Sequence, residues 1–148
     1  MAGPYHLPSH VLKETFAHFR DCGGGRRECQ VLWVSPWDSL HTITKAIHPE
    51  HKSHVAGFVL DNQWLNDFWL SLAEGNLGIR CQVHTHPREA FHSQTDDAFP
   101  IIHTVGFLSL VIPKFALCPI GLDDAYLAEI QPDGRWKQVG IAERLVIT

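Results

Sequence analysis

Two histidines spaced two positions apart are the clearest indication of chemistry in this chain. They occur in the segment His84-Thr85-His86-Pro87, where a predicted strand ends. Because side chains alternate between the two faces of a strand, both imidazoles should lie on one face, about 6.6 Å apart along the chain. Two imidazoles in this arrangement can bind one zinc ion, each at about 2.0–2.1 Å.

An aspartate ten positions beyond His86 can complete this ligand set. Pro87 ends the strand and turns the chain, and the loop that follows can return Asp96 to the two histidines. Two histidines, one carboxylate and a water form a four-coordinate zinc site with one exchangeable position. That composition is typical of catalytic zinc rather than structural zinc.

Both parts of the pattern also have ordinary structural interpretations. Histidines at the end of a strand can simply make hydrogen bonds, and Ser93-x-x-Asp96 is equally the start of a short helix with Ser93 as its N-cap. The helix and the metal site are compatible, because a capped helix would hold the Asp96 carboxylate in place. His92 and His103 could be further ligands, or they could surround the site without touching a metal.

The elements that must position these residues are short strands and two longer helices. One helix is predicted from Ser9, a suitable N-cap, to the glycines at residues 23–25, and another from Asp61 to Gly75. Residues 141–147 fit either a helix or a strand. Strands are predicted at residues 28–34, 40–47, 54–60, 77–84 and 106–112, with a hairpin of residues 126–130 and 136–139.

This order of elements predicts an α/β (α+β) fold with a mixed sheet flanked by helices, in a single domain spanning residues 1–148. The chain is 45% hydrophobic and 19% charged, which is enough apolar material for a buried core. Its net charge is −4, without a dense cluster of lysine and arginine, so nucleic-acid binding is not expected. The longest apolar stretch, residues 105–122, is interrupted by Pro113 and Pro119, so no membrane span is expected.

The cysteines and the N-terminal residues predict a cytoplasmic protein. Cys22, Cys29, Cys81 and Cys118 are scattered without a C-x-x-C pair, and we expect all four to be reduced. Residues 1–8 lack both the basic start and the long apolar segment of a signal peptide.

The His-Thr-His-Pro motif at residues 84–87, followed by Ser93-x-x-Asp96, resembles the signature of the JAB1/MPN/Mov34 (JAMM) zinc metallopeptidases. The resemblance implies an MPN fold, which is cytidine-deaminase-like, with a curved mixed sheet. It also implies enzymes that cleave ubiquitin or ubiquitin-like proteins from lysine amines, or trim their C-termini. The zinc ligands that it implies are His84, His86 and Asp96.

The resemblance also implies two catalytic residues that do not bind the metal. The family has a glutamate near the start of the first strand after the first helix, and Glu28 occupies that position as the proton carrier. Ser93 would donate a hydrogen bond to the oxyanion of the tetrahedral intermediate. The loop between His86 and Ser93 is one residue shorter than is usual in the family, which leaves Asp97 as an alternative third ligand.

In its detail the sequence is most similar to bacterial JAB proteins encoded beside E1-like and E2-like genes, some of which serve in defence against phage. The implied partners are a ubiquitin-like protein, through its C-terminal tail, its conjugates, and the E1-like and E2-like proteins. Two alternatives remain open. The chain could trim a ubiquitin-like or sulfur-carrier-like precursor, or it could be an inactive scaffold that binds such a partner without cutting it.

Overall fold

A six-stranded mixed sheet forms the centre of the computed structural model, which describes residues 3–49, 51–54, 57–60, 62–93 and 102–148. Across the sheet, the strands are β3 (Lys45–Ile47), β2 (Gln30–Pro36), β6 (Leu77–Thr85), β7 (Leu108–Ile112), β8 (Tyr126–Ile130) and β9 (Trp136–Gln138). Two smaller pairs are β1 (Tyr5–Leu7) with β10 (Leu145–Ile147), and β4 (His51–His54) with β5 (Gly57–Leu60). The helices are α1 (Ser9–Gly23), α2 (Asn62–Gly75) and α3 (Ile141–Arg144). The predicted fold class is therefore confirmed.

The two long helices pack against opposite faces of this sheet. Trp33 of β2 lies under α1, and its indole N–H donates a 2.8 Å hydrogen bond to Oγ1 of Thr15. Each large apolar side chain buried on folding contributes about 1.5–3 kcal/mol, and α1 buries Val11, Leu12, Phe16 and Phe19. On the other face, α2 packs Phe68 and Leu72 against Leu32 and Ile79. No helix among the described residues is both long and apolar enough to cross a bilayer.

The face that carries α2 changes from apolar to polar along β6. Side chains that alternate with the core residues Val31, Val83 and Leu110 point to this face. Near the carboxyl end of β6 they are polar and buried, and they are Gln30, Gln82, His84 and Ser109. Because buried polar groups need hydrogen-bonding partners, these four side chains mark the part of the sheet most suited to chemistry.

The connection from β6 to β7 leaves from this same end. β6 pairs with β7 in parallel, whereas β2 and β6 are antiparallel. Parallel neighbours cannot be joined by a tight hairpin and need a crossover of a dozen or more residues. Residues 86–107 form that crossover, so the segment containing His86, Ser93 and Asp96 begins at the polar end of the sheet.

Two predicted boundaries differ for identifiable reasons. Ser9 is the first residue of α1 and not its N-cap, because Pro8 has the extended N-cap conformation and its carbonyl accepts from the N–H of Val11. The first strand after α1 begins at Gln30 rather than at residue 28. The N–H of Cys29 donates to the side chain of Thr85, so the regular ladder of backbone hydrogen bonds ends there.

Other elements divide where one was predicted. Of the strand predicted at residues 40–47, only β3 is formed. A 3-10 turn occupies residues 37–39 just before it, and Thr42 makes only an isolated bridge to His6. The strand at residues 54–60 is instead the hairpin of β4 and β5. Residues 141–147 form both α3 and β10, so neither alternative was right alone. The strand β1 was not predicted.

The expectation of four reduced cysteines is wrong for two of them. Cys22 and Cys29 form a disulfide with their Cα atoms 6.4 Å apart. Gly24 takes the left-handed conformation, with φ of 57°, that ends α1, and the chain then turns back towards β2. Cys81 and Cys118 are free, and burial raises the pKa of the Cys81 thiol.

Candidate metal centre

His84 and His86 lie side by side at the carboxyl end of β6. His84 is the penultimate residue of the strand, and His86 is the first residue after the strand. Their rings are buried, with 2% and 5% of each residue exposed, and the ring centroids are 5.1 Å apart. The structure therefore brings together the two imidazoles that the sequence pattern predicts on one face. Their role as ligands remains a prediction.

Backbone hydrogen bonds hold His86 in place after the strand has ended. Its N–H donates to the carbonyl of Ile112 at 2.9 Å, and its carbonyl accepts from the N–H of Phe115, also at 2.9 Å. The N–H of Lys114 donates to the carbonyl of Arg88 at 2.8 Å. The turn that supplies these donors is left-handed, with positive φ at three consecutive non-glycine residues, residues 114–116. Each such residue costs about 1–2 kcal/mol, and backbone strain of this kind is often found at functional sites.

Glu28 lies two positions before β2, the strand next to β6. The residue after it, Cys29, donates its N–H to Oγ1 of Thr85 at 3.0 Å and accepts from the N–H of Thr85 at 3.1 Å. Gln30 is the register partner of His84, so the antiparallel register continued by two positions places Glu28 opposite His86. Glu28 is 8% exposed, which is unusual for a glutamate that serves only as surface charge.

The structure does not place all of the predicted site. Ser93 is half-buried at the end of the described range 62–93. Asp96, its alternative Asp97 and the remainder of the short helix predicted from Ser93 lie outside the described residues. Among the residues that are described, no three histidine, cysteine, aspartate or glutamate side chains converge as a metal site.

The donor groups that are described fit a divalent transition metal. Paired imidazoles suit zinc, copper, iron or nickel, and His84 and His86 are close enough to share one ion. The neighbouring Gln30 is 4% exposed, and its Oε1 has no hydrogen-bond partner among the described residues. A buried carbonyl oxygen left in this state costs about 1–3 kcal/mol, so Gln30 is suited to accept a hydrogen bond from a group bound beside the histidines.

Sequence reasoning missed the polar residues that lie beside the histidines on the sheet. Gln82 donates through Nε2 to Oγ of Ser109 at 3.1 Å, and both side chains are buried. The signal that could have revealed them is alternation. Stepping back two positions from His84 gives Gln82, and stepping on two positions from Glu28 gives Gln30, each a polar residue on an otherwise apolar strand.

Known proteins similar to this chain agree with the fold described above. No protein-family model matches it. The sequence is 31% identical over 140 residues to the probable metalloprotease y4jG of Sinorhizobium fredii (strain NBRC 101917 / NGR234), which covers 90% of this chain and 85% of that protein. The solution structure of protein DSY2949 from Desulfitobacterium hafniense is similar with a TM-score of 0.70 at 14% identity, over 97% of this chain and 92% of that one. The crystal structure of AF2198, a JAB1/MPN domain protein from Archaeoglobus fulgidus, is similar with a TM-score of 0.53 at 11% identity, over 98% of this chain and 100% of that one. We conclude that this chain belongs to the same family as the probable metalloprotease y4jG, and that its fold is similar to that of the JAB1/MPN domain protein AF2198.

Proposed function

We propose that this protein is a JAMM-type zinc peptidase that cuts at the C-terminal tail of a ubiquitin-like protein. The observation that carries the proposal is the buried pair of imidazoles, His84 and His86, together with the buried Glu28, which lies two positions before β2, where the continued register places it opposite His86. The relationship to a protein named as a probable metalloprotease supports a peptidase, and the ubiquitin-like substrate rests on the sequence motif.

In this proposal, His84, His86 and Asp96 hold the zinc. A bound zinc ion supplies a Lewis acid and lowers the pKa of water in the site towards 7. Glu28 takes a proton from the attacking water and delivers it to the departing amine. Ser93 donates a hydrogen bond to the carbonyl oxygen as negative charge develops on it, and loss of such a donor costs about 100- to 1000-fold in rate.

Three of the four cysteines offer no competing nucleophile. Cys81 is three positions before His84, on the opposite face of β6, and it is fully buried. Burial raises the pKa of its thiol, which keeps the thiol neutral and unreactive. Cys22 and Cys29 are bonded to each other. These observations favour a metal-activated water over a cysteine peptidase.

The proposed substrate binds in an extended conformation, and the same chemistry serves two bonds. A flexible, glycine-rich tail can pair its backbone with a sheet edge, which supplies affinity with little side-chain information. The bond that is cut is an isopeptide bond to lysine in a conjugate, or a peptide bond to a C-terminal extension in a precursor. The E1-like and E2-like proteins of a conjugation system, including one that acts against phage, would be its partners in the cytoplasm.

The test uses a ubiquitin-like protein encoded beside this gene, fused at its C-terminus to a reporter. Purified protein should contain about one zinc per chain and release the reporter, and a chelator should stop the release. Glu28→Gln should retain zinc and lose cleavage, because the amide cannot carry the proton. Glu14→Gln, on the exposed side of α1, is the matched control and should cleave at the wild-type rate. A Glu28→Gln variant that cleaves as fast as the wild type would refute the proposal, and a wild type that binds the fusion without cutting it would indicate a scaffold.

A further inference from the structure

His92 is held against the sheet by a hydrogen bond and by two aromatic rings. Its Nε2 is 3.0 Å from Oγ of Ser109 on β7. Its ring centroid is 4.8 Å from the Trp136 ring, and it stacks at 6.2 Å on the ring of Tyr126 with an interplanar angle of 15°. A half-buried histidine with three such contacts in one place is fixed in orientation.

The hydrogen bond connects His92 to the strand that carries the predicted ligands. Ser109, which His92 contacts, also accepts from Nε2 of Gln82, its register partner on β6. Gln82 is two positions before His84 and points to the same face. The ring centroids of His92 and His84 are 6.4 Å apart, so His92 is attached to the sheet directly beside the candidate metal centre.

This attachment fixes the far end of the loop that follows His86. The near end is held by the N–H groups of Lys114 and Phe115, and Phe91 packs its ring edge-on against His86 at 4.6 Å. Ser93 follows His92 directly, and Asp96 is three positions further along the sequence. The contacts that orient His92 therefore fix the point from which the chain continues to Ser93, the predicted oxyanion donor, and to Asp96, the predicted third ligand.

We propose that His92 is a positioning residue of the metal centre, acting through its bond to Ser109 and its contacts with Tyr126 and Trp136. This inference rests on the proposed function only in assuming that His84 and His86 bind a metal. His92 is not itself a ligand in this account, because its Nε2 is directed at Ser109 and the described residues contain no three-ligand cluster. Residues of this kind, which orient ligands without touching the metal, typically change metal affinity by about 10- to 100-fold when they are replaced.

The test measures cobalt binding by visible absorption in the metal-depleted protein, with no substrate present. His92→Phe keeps an aromatic ring between Tyr126 and Trp136 but cannot bond to Ser109, and Ser109→Ala removes the same bond from the other side. Each should lower cobalt affinity by about 10- to 100-fold. The double variant should be no worse than Ser109→Ala, because Ser109→Ala already removes the bond to His92, together with the bond from Gln82. His92→Gln, which can still reach Ser109 with a polar group, should recover part of the loss.

Controls separate this inference from general instability and from failure of the proposed function. His10→Phe replaces an exposed histidine on α1 and should bind cobalt as the wild type does. Thermal unfolding of each metal-free variant measures any loss of fold, and His84→Ala should abolish binding. The inference is overturned if His92→Phe binds cobalt like the wild type, or if the cobalt that it still binds shows the altered spectrum of a site that has lost a ligand. If His84→Ala binds cobalt normally, the proposed metal centre is itself wrong, whereas a wild type that binds cobalt but cuts nothing leaves the positioning result intact.

Discussion

Removal of the Cys22–Cys29 disulfide has an effect that can be calculated from the loop that it closes. The two cysteines are seven positions apart, so the loop including both contains about eight residues (29 − 22 + 1). Closing such a loop lowers the entropy of the unfolded chain by about 8 cal/mol/K, equivalent to about 2.5 kcal/mol at 25 °C. Reduction should therefore lower the free energy of unfolding by about 2.5 kcal/mol and the melting temperature by roughly 8 °C.

Urea unfolding followed by tryptophan fluorescence, with and without a reducing agent, measures this effect. The Cys22→Ala/Cys29→Ala variant should be less stable than the oxidised wild type and should not respond to the reducing agent. Cys118→Ala, which removes a free and half-buried cysteine, is the control and should respond as the wild type does. The reasoning is refuted if the unfolding midpoint of the wild type does not change when the reducing agent is added. It is also refuted if the wild type, unfolded without the reducing agent, shows four free thiols.

Three further predictions concern other buried groups. Thr85→Val should lower the free energy of unfolding by about 1–3 kcal/mol, because it leaves the buried N–H of Cys29 without its acceptor; urea unfolding with no measurable loss would contradict this. Burial, and then the nearby His18, lower the pKa of His48 from 6.5, so the unfolded chain binds more protons and stability should fall as the pH drops below 6.5. His48→Gln should weaken that dependence. If the free energy of unfolding changes by the same amount in both proteins between pH values above and below 6.5, the prediction is wrong. Cys81 should resist alkylation in the folded protein, because burial raises the pKa of its thiol; mass spectrometry that finds Cys81 modified before Cys118 would contradict this.

The proximity of the two histidines could be predicted because its cause is local. His84 and His86 share a face through the two-residue period of one strand, and the apolar residues before them identify that strand. Glu28 comes from a distant segment, just before β2, and only the family resemblance indicated its position. Alternation along one strand indicates which side chains share a face, but it does not indicate which residue of the next strand lies beside them. The placement of Gln30 beside His84, and of Ser109 beside Gln82, depends on the registers of β2 with β6 and of β6 with β7, which are set by pairing between distant segments.

The parts of the fold that were missed also depend on distant contacts. The strand β1 has three residues, too few to show alternation, and exists because it pairs with β10 near the other end of the chain. The disulfide depends on how the chain turns at Gly24 and Gly25, both with positive φ, and glycine permits that turn without requiring it. The helices were easier to predict, since their apolar residues recur at helical spacing within one segment.

The parallel pairing of β1 with β10 has a consequence for how the protein is made. Tyr5–Leu7 leave the ribosome early, but their hydrogen-bonding partners, Leu145–Ile147, are translated about 140 residues later. Until then, the apolar side chain of Leu7, which is fully enclosed in the finished fold, stays exposed on the nascent chain. The pairing of β1 with β10 therefore cannot form until Leu145–Ile147 have been translated, and a polypeptide stalled before Leu145 presents an open strand edge that chaperones can bind.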